Sequence, residues 1–96
     1  MEVKANNEEI TISGHIRTIE DYQKIKQVVN SVVETGHKSV TIMIPESLAM
    51  TSSVIGFFLK LVFENKVDLK MYVKDERLYN LLEVLNLVTV FKVSRM

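Results

Sequence analysis

Three consecutive hydroxyl side chains, Thr51, Ser52 and Ser53, are the residues best suited to chemistry in this chain. They stand between a short loop and an apolar segment that has the length of a helix. A hydroxyl at a helix N-cap accepts a hydrogen bond from a free backbone N–H, which is worth about 1 kcal/mol. The same place accommodates a phosphate, because free N–H groups and the positive end of the helix dipole meet its charge. The triplet therefore predicts either a helix cap or a phosphorylation switch.

No other group of residues has the pattern of an active site. The two histidines, His15 and His37, have no carboxylate cluster at ligand spacing, and the chain has no cysteine. The three glycines are scattered and form neither of the glycine-rich phosphate loops, and a GxSxG nucleophile motif does not occur. We therefore expect a protein that is not an enzyme and holds no metal and no cofactor.

Composition indicates one small cytoplasmic domain over residues 1–96. The formal net charge is zero, so the chain lacks the basic excess that nucleic-acid binding requires. The polar, acidic start, MEVKANNEEI, is unlike a secretory signal. No apolar run reaches the roughly 20 residues of a membrane span. We expect neither nucleic-acid binding nor membrane insertion.

Strand and helix patterns alternate around the hydroxyl triplet. Ile10 and Ile12 alternate with polar residues, which is typical of a half-buried strand, whereas the apolar residues of 19–34 recur at helical spacing. Thr18 and Asp75 are N-cap candidates. Strands are predicted at 2–5, 9–13, 39–44 and 68–74, helices at 19–34, from 52 or 53 to about 65, and from 76 to Asn86, and a last strand or extended tail at 88–93.

This order of elements predicts an α/β fold with a single-layer mixed β-sheet. A turn at Asn6-Asn7 makes the N-terminal hairpin antiparallel, whereas the helical connections make the later strands parallel. We expect the α-helices to pack on one side of the sheet.

The helix that follows the triplet is apolar on nearly every side. Between Ser53 and Asn65, only Lys60 and Glu64 are charged. The helix is either fully buried or leaves an apolar strip exposed, which would mark a surface for partner binding or self-association. The candidate partner-binding residues are Thr51, Ser52, Ser53, Val54, Phe57, Phe58 and Leu61.

The run IPESLAMTSSVIG, residues 44–56, resembles the central motif of the STAS domain, the fold of bacterial anti-sigma factor antagonists. Met50, Ser52 and Ser53 match the family's apolar residue and its two hydroxyls, and the pair at 55–56 matches its Leu-Gly. Thr51 replaces an aspartate of the family, and Val54 replaces a glycine. The early ISGHI resembles the family's strand that ends in L-x-G-x-[LI], and the late LYNLLEVLNLVTVFKV resembles its last helix and tail.

The resemblance implies an STAS-like fold and a regulatory protein-interaction role in transcription, through partner switching in the bacterial cytoplasm. It implies that the chain binds an anti-sigma factor or a serine kinase-like protein. It also implies phosphorylation at Ser52, in preference to Thr51 or Ser53.

The departures at Thr51 and Val54 motivate an alternative. Val54 would add bulk where a partner approaches, and Thr51 would change how Ser52 is presented to a kinase. The chain would then be a non-phosphorylated STAS subunit that forms a homodimer, or that docks on a transporter ATPase or another signalling complex.

Overall fold

Five strands form one mixed sheet, and three helices cover one of its faces, in the computed structural model, which describes residues 1–96. The strands lie side by side in chain order, with the first two antiparallel and the remainder parallel. The elements are β1 (Glu2–Asn6), β2 (Glu9–Ser13), α1 (Ile19–Glu34), β3 (Ser39–Ile44), α2 (Ser52–Phe63), β4 (Asp68–Val73), α3 (Glu76–Val84) and β5 (Val93–Arg95). The mixed α/β sheet with an N-terminal hairpin is confirmed.

The helices lie on one face because each parallel strand is followed by a helix and then by the next strand along. Right-handed crossovers that proceed in one direction place every helix on the same side. Ile10, Ile42 and Met71 pair across β2, β3 and β4, and all three are fully buried under the helices. The intervening residues of these strands face away from the helices and are partly or fully exposed. The 22 buried hydrophobic residues form one cluster between sheet and helices.

Local side chains set the helix ends, as the sequence predicts. At the start of α1 the Thr18 hydroxyl accepts a hydrogen bond from Asp21 N–H (3.1 Å), and the Asp21 carboxylate accepts one from Thr18 N–H (3.0 Å). Gly36 follows the end of α1 with φ +103°, a conformation that glycine adopts without strain. Asp75 caps α3 by accepting from Arg77 N–H at 2.8 Å.

The chain after α3 differs from the sequence prediction. Residues 88–92 form turns and not a strand, and β5 occupies Val93–Arg95. Phe91 is fully buried, with its ring 6.0 Å from the ring of Phe58 in an edge-to-face arrangement. Lys92 has a positive φ of 50°. The turn inserts Phe91 into the core, which delays the start of the strand until Val93.

Two phenylalanines of α2 differ in burial and provide a test of this packing. We expect Phe58→Ala to lower the free energy of unfolding by about 3–5 kcal/mol, because the ring is fully buried. Phe63→Ala is the matched control, since Phe63 is 57% exposed, and it should change stability by less than about 0.5 kcal/mol. Urea unfolding followed by circular dichroism measures both. Equal losses would contradict the orientation of α2.

The cap of α3 predicts a dependence of stability on pH. Hydrogen bonds from the Arg77 side chain and backbone lower the pKa of Asp75 from 3.8 to about 2. A carboxylate with a lower pKa in the folded chain stabilises the fold above its unfolded pKa, and that contribution is lost as the pH falls through the folded pKa. Stability should therefore decrease between pH 3.8 and about pH 2.

Asp75→Asn keeps an oxygen for the cap but cannot ionise. Urea unfolding at a series of pH values should therefore show a shallower decrease for this variant than for the wild type. The same slope in both proteins would show that other carboxylates cause the effect.

Candidate functional site

The three hydroxyls lie where β3 leads into α2, at the carboxyl end of the parallel strands. Thr51 is the N-cap of α2, and its hydroxyl accepts a hydrogen bond from Val54 N–H at 3.4 Å. Ser52 and Ser53 are the first residues of the helix, and both are exposed. The capping role therefore belongs to Thr51, and it leaves Ser52 at the surface.

Ser47 holds the loop that precedes α2. It is 1% exposed and is the only buried polar residue of the protein. Its hydroxyl accepts a hydrogen bond from Ile16 N–H (3.1 Å) and donates one to Ala49 C=O (2.7 Å). Nearby, the Glu46 carboxylate accepts from Gly14 N–H at 3.0 Å. These bonds join the loop after β2 to the loop after β3, so the start of α2 has a fixed position.

Sequence reasoning missed Ser47. A serine in a loop that follows a proline and a glutamate carries no sign of burial, because its partner, Ile16, is 31 residues away. The hydrogen bonds become visible only when the two loops are brought together.

The outward side of α2 carries a strip that we call the outer strip, made of Ser52, Gly56, Leu59 and Phe63. Their spacing of four, three and four residues places them on one side of the helix. Ser52 and Gly56 are exposed, Leu59 is half-buried, and Phe63 is 57% exposed. A methyl group added at Gly56 would meet no atom within 4 Å. The strip is therefore open at Gly56.

Three of the residues predicted to bind a partner belong instead to the core. Val54 and Phe58 are fully buried, so neither can contact a partner in the folded protein. Leu61 lines the groove between α1 and α2 but is only 2% exposed, so it offers almost no surface. They lie on the side of α2 that faces the sheet, opposite the outer strip. Thr51, Ser52 and Ser53 remain at or near the surface, as does Phe57.

The sequence did not single out Leu59 and Phe63. A helix that is apolar on both sides gives no indication of which side faces the sheet, so the exposed side could not be chosen from the pattern.

A groove of about 450 Å³ runs between α1 and α2. The half-buried ring of Phe57 lies in it, in edge-to-face contact with Tyr22 of α1 at 6.5 Å between centroids. Lys26 lines the groove on the α1 side and Lys60 on the α2 side. Gly56 belongs to both the groove and the outer strip, so the two surfaces are continuous.

The histidines and carboxylates of the structure do not converge on a metal site. No three residues among histidine, aspartate and glutamate cluster as metal ligands. His37 lies 3.9 Å from the Glu8 carboxylate at the surface, and His15 is not part of any such cluster.

None of the three helices combines the length and the apolar composition that a bilayer crossing requires.

The buried and exposed serines provide a test of how the site is held. Ser47→Ala leaves Ile16 N–H without its partner inside the protein, so we expect it to lower the free energy of unfolding by about 1–3 kcal/mol. Ser52→Ala is the matched control, and it should cost less than about 0.5 kcal/mol because Ser52 is exposed and is not the cap. Chemical denaturation gives both values. A larger loss of stability for Ser52→Ala than for Ser47→Ala would show that Ser52, and not Ser47, holds the start of α2.

Comparison with known proteins adds no relative: no family model matches the chain, and no curated protein does. The STAS assignment stays a prediction from the residues of its motif, with which the five-stranded α/β architecture is compatible.

Proposed function

We propose that this protein is a non-enzymatic regulatory interaction domain of the STAS type, which binds an anti-sigma factor or a serine kinase-like protein through the outer strip of α2. The observation that carries the proposal is the strip itself. An exposed serine at the helix N-terminus shares one side of α2 with the exposed ring of Phe63.

Packing of the core does not by itself account for the apolar residues of the outer strip. On the opposite side of α2, Val54, Phe58 and Leu61 pack in the core. Leu59 packs partly against this core, whereas Phe63, at 57% exposed, leaves most of its ring at the surface. Aromatic side chains are enriched at protein interfaces, where they contribute much of the binding energy.

Ser52 is suited to switch such a surface. A phosphate there would meet the free N–H groups of the first turn, so the fold would tolerate it. It would also add close to two negative charges to the end of the outer strip, which must lose water when a partner binds. Phosphorylation would thus weaken binding without unfolding the domain.

The two departures from the family motif are compatible with this role. Thr51 supplies the cap that an aspartate would also supply at this position. Val54 points into the core and is fully buried, so it adds no bulk where a partner approaches, contrary to what its place in the motif suggests.

Phe63→Lys should weaken binding of an anti-sigma factor kinase from the same genome by at least about tenfold, equivalent to about 1.4 kcal/mol. The reason is that it places a charge on the most exposed apolar side chain of the outer strip. Val84→Lys is the matched control, because Val84 is 78% exposed on α3 and lies outside the strip. Isothermal titration calorimetry with the purified kinase measures each affinity, and circular dichroism checks the fold.

Ser52→Asp and Ser52→Ala then separate the switch from the surface. We expect Ser52→Asp to weaken binding and Ser52→Ala to bind like the wild type. If Ser52→Asp binds normally while Phe63→Lys does not, the domain is the non-phosphorylated alternative. Equal binding by Phe63→Lys and Val84→Lys would contradict the proposed surface.

A further inference from the structure

The face of the sheet opposite the helices is uncovered. Two rows of residues cross its centre: Glu9, Thr41 and Lys70 pair in one row, and Thr11, Met43 and Tyr72 in the next. A shallow depression of about 550 Å³ lies over these rows and is bordered by the C-terminal residues 95–96. Parallel sheets are normally covered on both faces, whereas β2 to β5 are covered on one.

The ion pairs on this face lie towards its edges. At one edge Lys4 pairs with Glu2 at 3.4 Å, and at the other Lys92 pairs with Asp68 at 2.6 Å. Three charged side chains line the depression, Glu9, Lys70 and Arg95, and none of them takes part in an ion pair. Arg95 lies on the edge strand β5, whereas Glu9 and Lys70 lie in a central row.

Glu9 and Lys70 form no ion pair with each other. They flank Thr41 on the strands to either side, so their backbones are about 10 Å apart at the usual strand spacing of about 4.8 Å. The negative charge of Glu9 thus lies on one side of β3, and the positive charge of Lys70 lies on the other.

We propose that two copies of this chain associate through their uncovered sheet faces, about a two-fold axis parallel to β3. Such an axis carries β2 of one copy over β4 of the other. Glu9 of each copy then faces Lys70 of the second copy, which makes two ion pairs across the interface. Met43 faces its counterpart at the centre, and Thr11 faces Tyr72.

The charge arrangement selects this axis over the alternative. A two-fold axis perpendicular to the strands places β2 over β2 and β4 over β4. Glu9 then faces residues of β2, which has no positive side chain, and Lys70 faces residues of β4, whose one carboxylate, Asp68, already pairs with Lys92. A parallel axis also leaves the strands of the two sheets aligned, as in aligned sheet packing.

The size of the face predicts a weak dimer. Five strands about 4.8 Å apart and about 17 Å long cover roughly 400 Å² in projection. Stable interfaces bury about 800 Å² on each partner, so dimerisation should depend on concentration. The helices point outwards in this dimer, and the outer strip of α2 stays exposed on both copies. The inference therefore does not depend on the proposed function.

Charge reversal tests the geometry. Sedimentation equilibrium at low salt, from about 10 μM to about 1 mM, should show the wild type passing from monomer to dimer, as expected for an interface of this size. Glu9→Lys places two lysines opposite each other, and Lys70→Glu places two carboxylates opposite each other. Each should weaken dimerisation by at least about tenfold. The double variant Glu9→Lys/Lys70→Glu recreates both pairs and should restore it.

Glu83→Lys is the matched control, because it reverses an exposed charge on α3, away from the sheet face. It should dimerise like the wild type. A wild type that stays monomeric over the whole range would overturn the proposal. Failure of the double variant to recover would overturn the parallel axis. Dimerisation lost in Phe63→Lys, but kept in both single reversals, would assign self-association to the outer strip instead.

Discussion

The contact of Phe58 with the sheet side of the core is the interaction on which the candidate surfaces depend. Its ring is fully buried and meets Phe91 edge to face at 6.0 Å. Because successive helical residues are rotated by about 100°, burying this one ring sets the rotation of the whole of α2. Gly56 and Phe63 then face solvent, and Ser52 is exposed on the same side at the N-terminal end of the helix. A rotation by two residues, about 200°, would exchange the buried and exposed sides.

The start of α2 is fixed by polar contacts as firmly as its middle is fixed by apolar ones. Ser47 bridges the two loops at the carboxyl end of the sheet through Ile16 N–H and Ala49 C=O. This end is where parallel α/β sheets usually present their binding residues, since loops and helix N-termini converge there. A rigid loop keeps Ser52 in one position relative to the outer strip, so a charge placed on it acts on a defined surface.

The two-layer architecture separates two surfaces of different chemistry. The helix side presents an apolar strip with an aromatic ring, whereas the uncovered sheet side presents hydroxyls, Met43, and opposite charges at Glu9 and Lys70. The surfaces lie on opposite sides of the domain, so both can be occupied at once. A dimer through the sheet would display two copies of the outer strip, and a partner with two sites would bind it with increased avidity.

The sequence by itself determined the elements whose signals are local. The alternation at Ile10 and Ile12, the reciprocal cap of Thr18 with Asp21, and the cap at Asp75 depend on residues within four positions of one another. Patterns of that range set strand and helix identity, the order of elements and the one-sided arrangement of the helices. The hydroxyls at the start of α2 were recognisable for the same reason.

Tertiary structure alone decided which residues of those elements are buried. It placed Val54 in the core, turned Phe63 outwards, buried Ser47 and inserted Phe91 before β5. Each of these outcomes depends on contacts between segments far apart in the chain, such as the 31 residues that separate Ser47 from Ile16. A helix that is apolar on every side carries no local sign of its orientation, so the surface it presents is set by the packing of its neighbours.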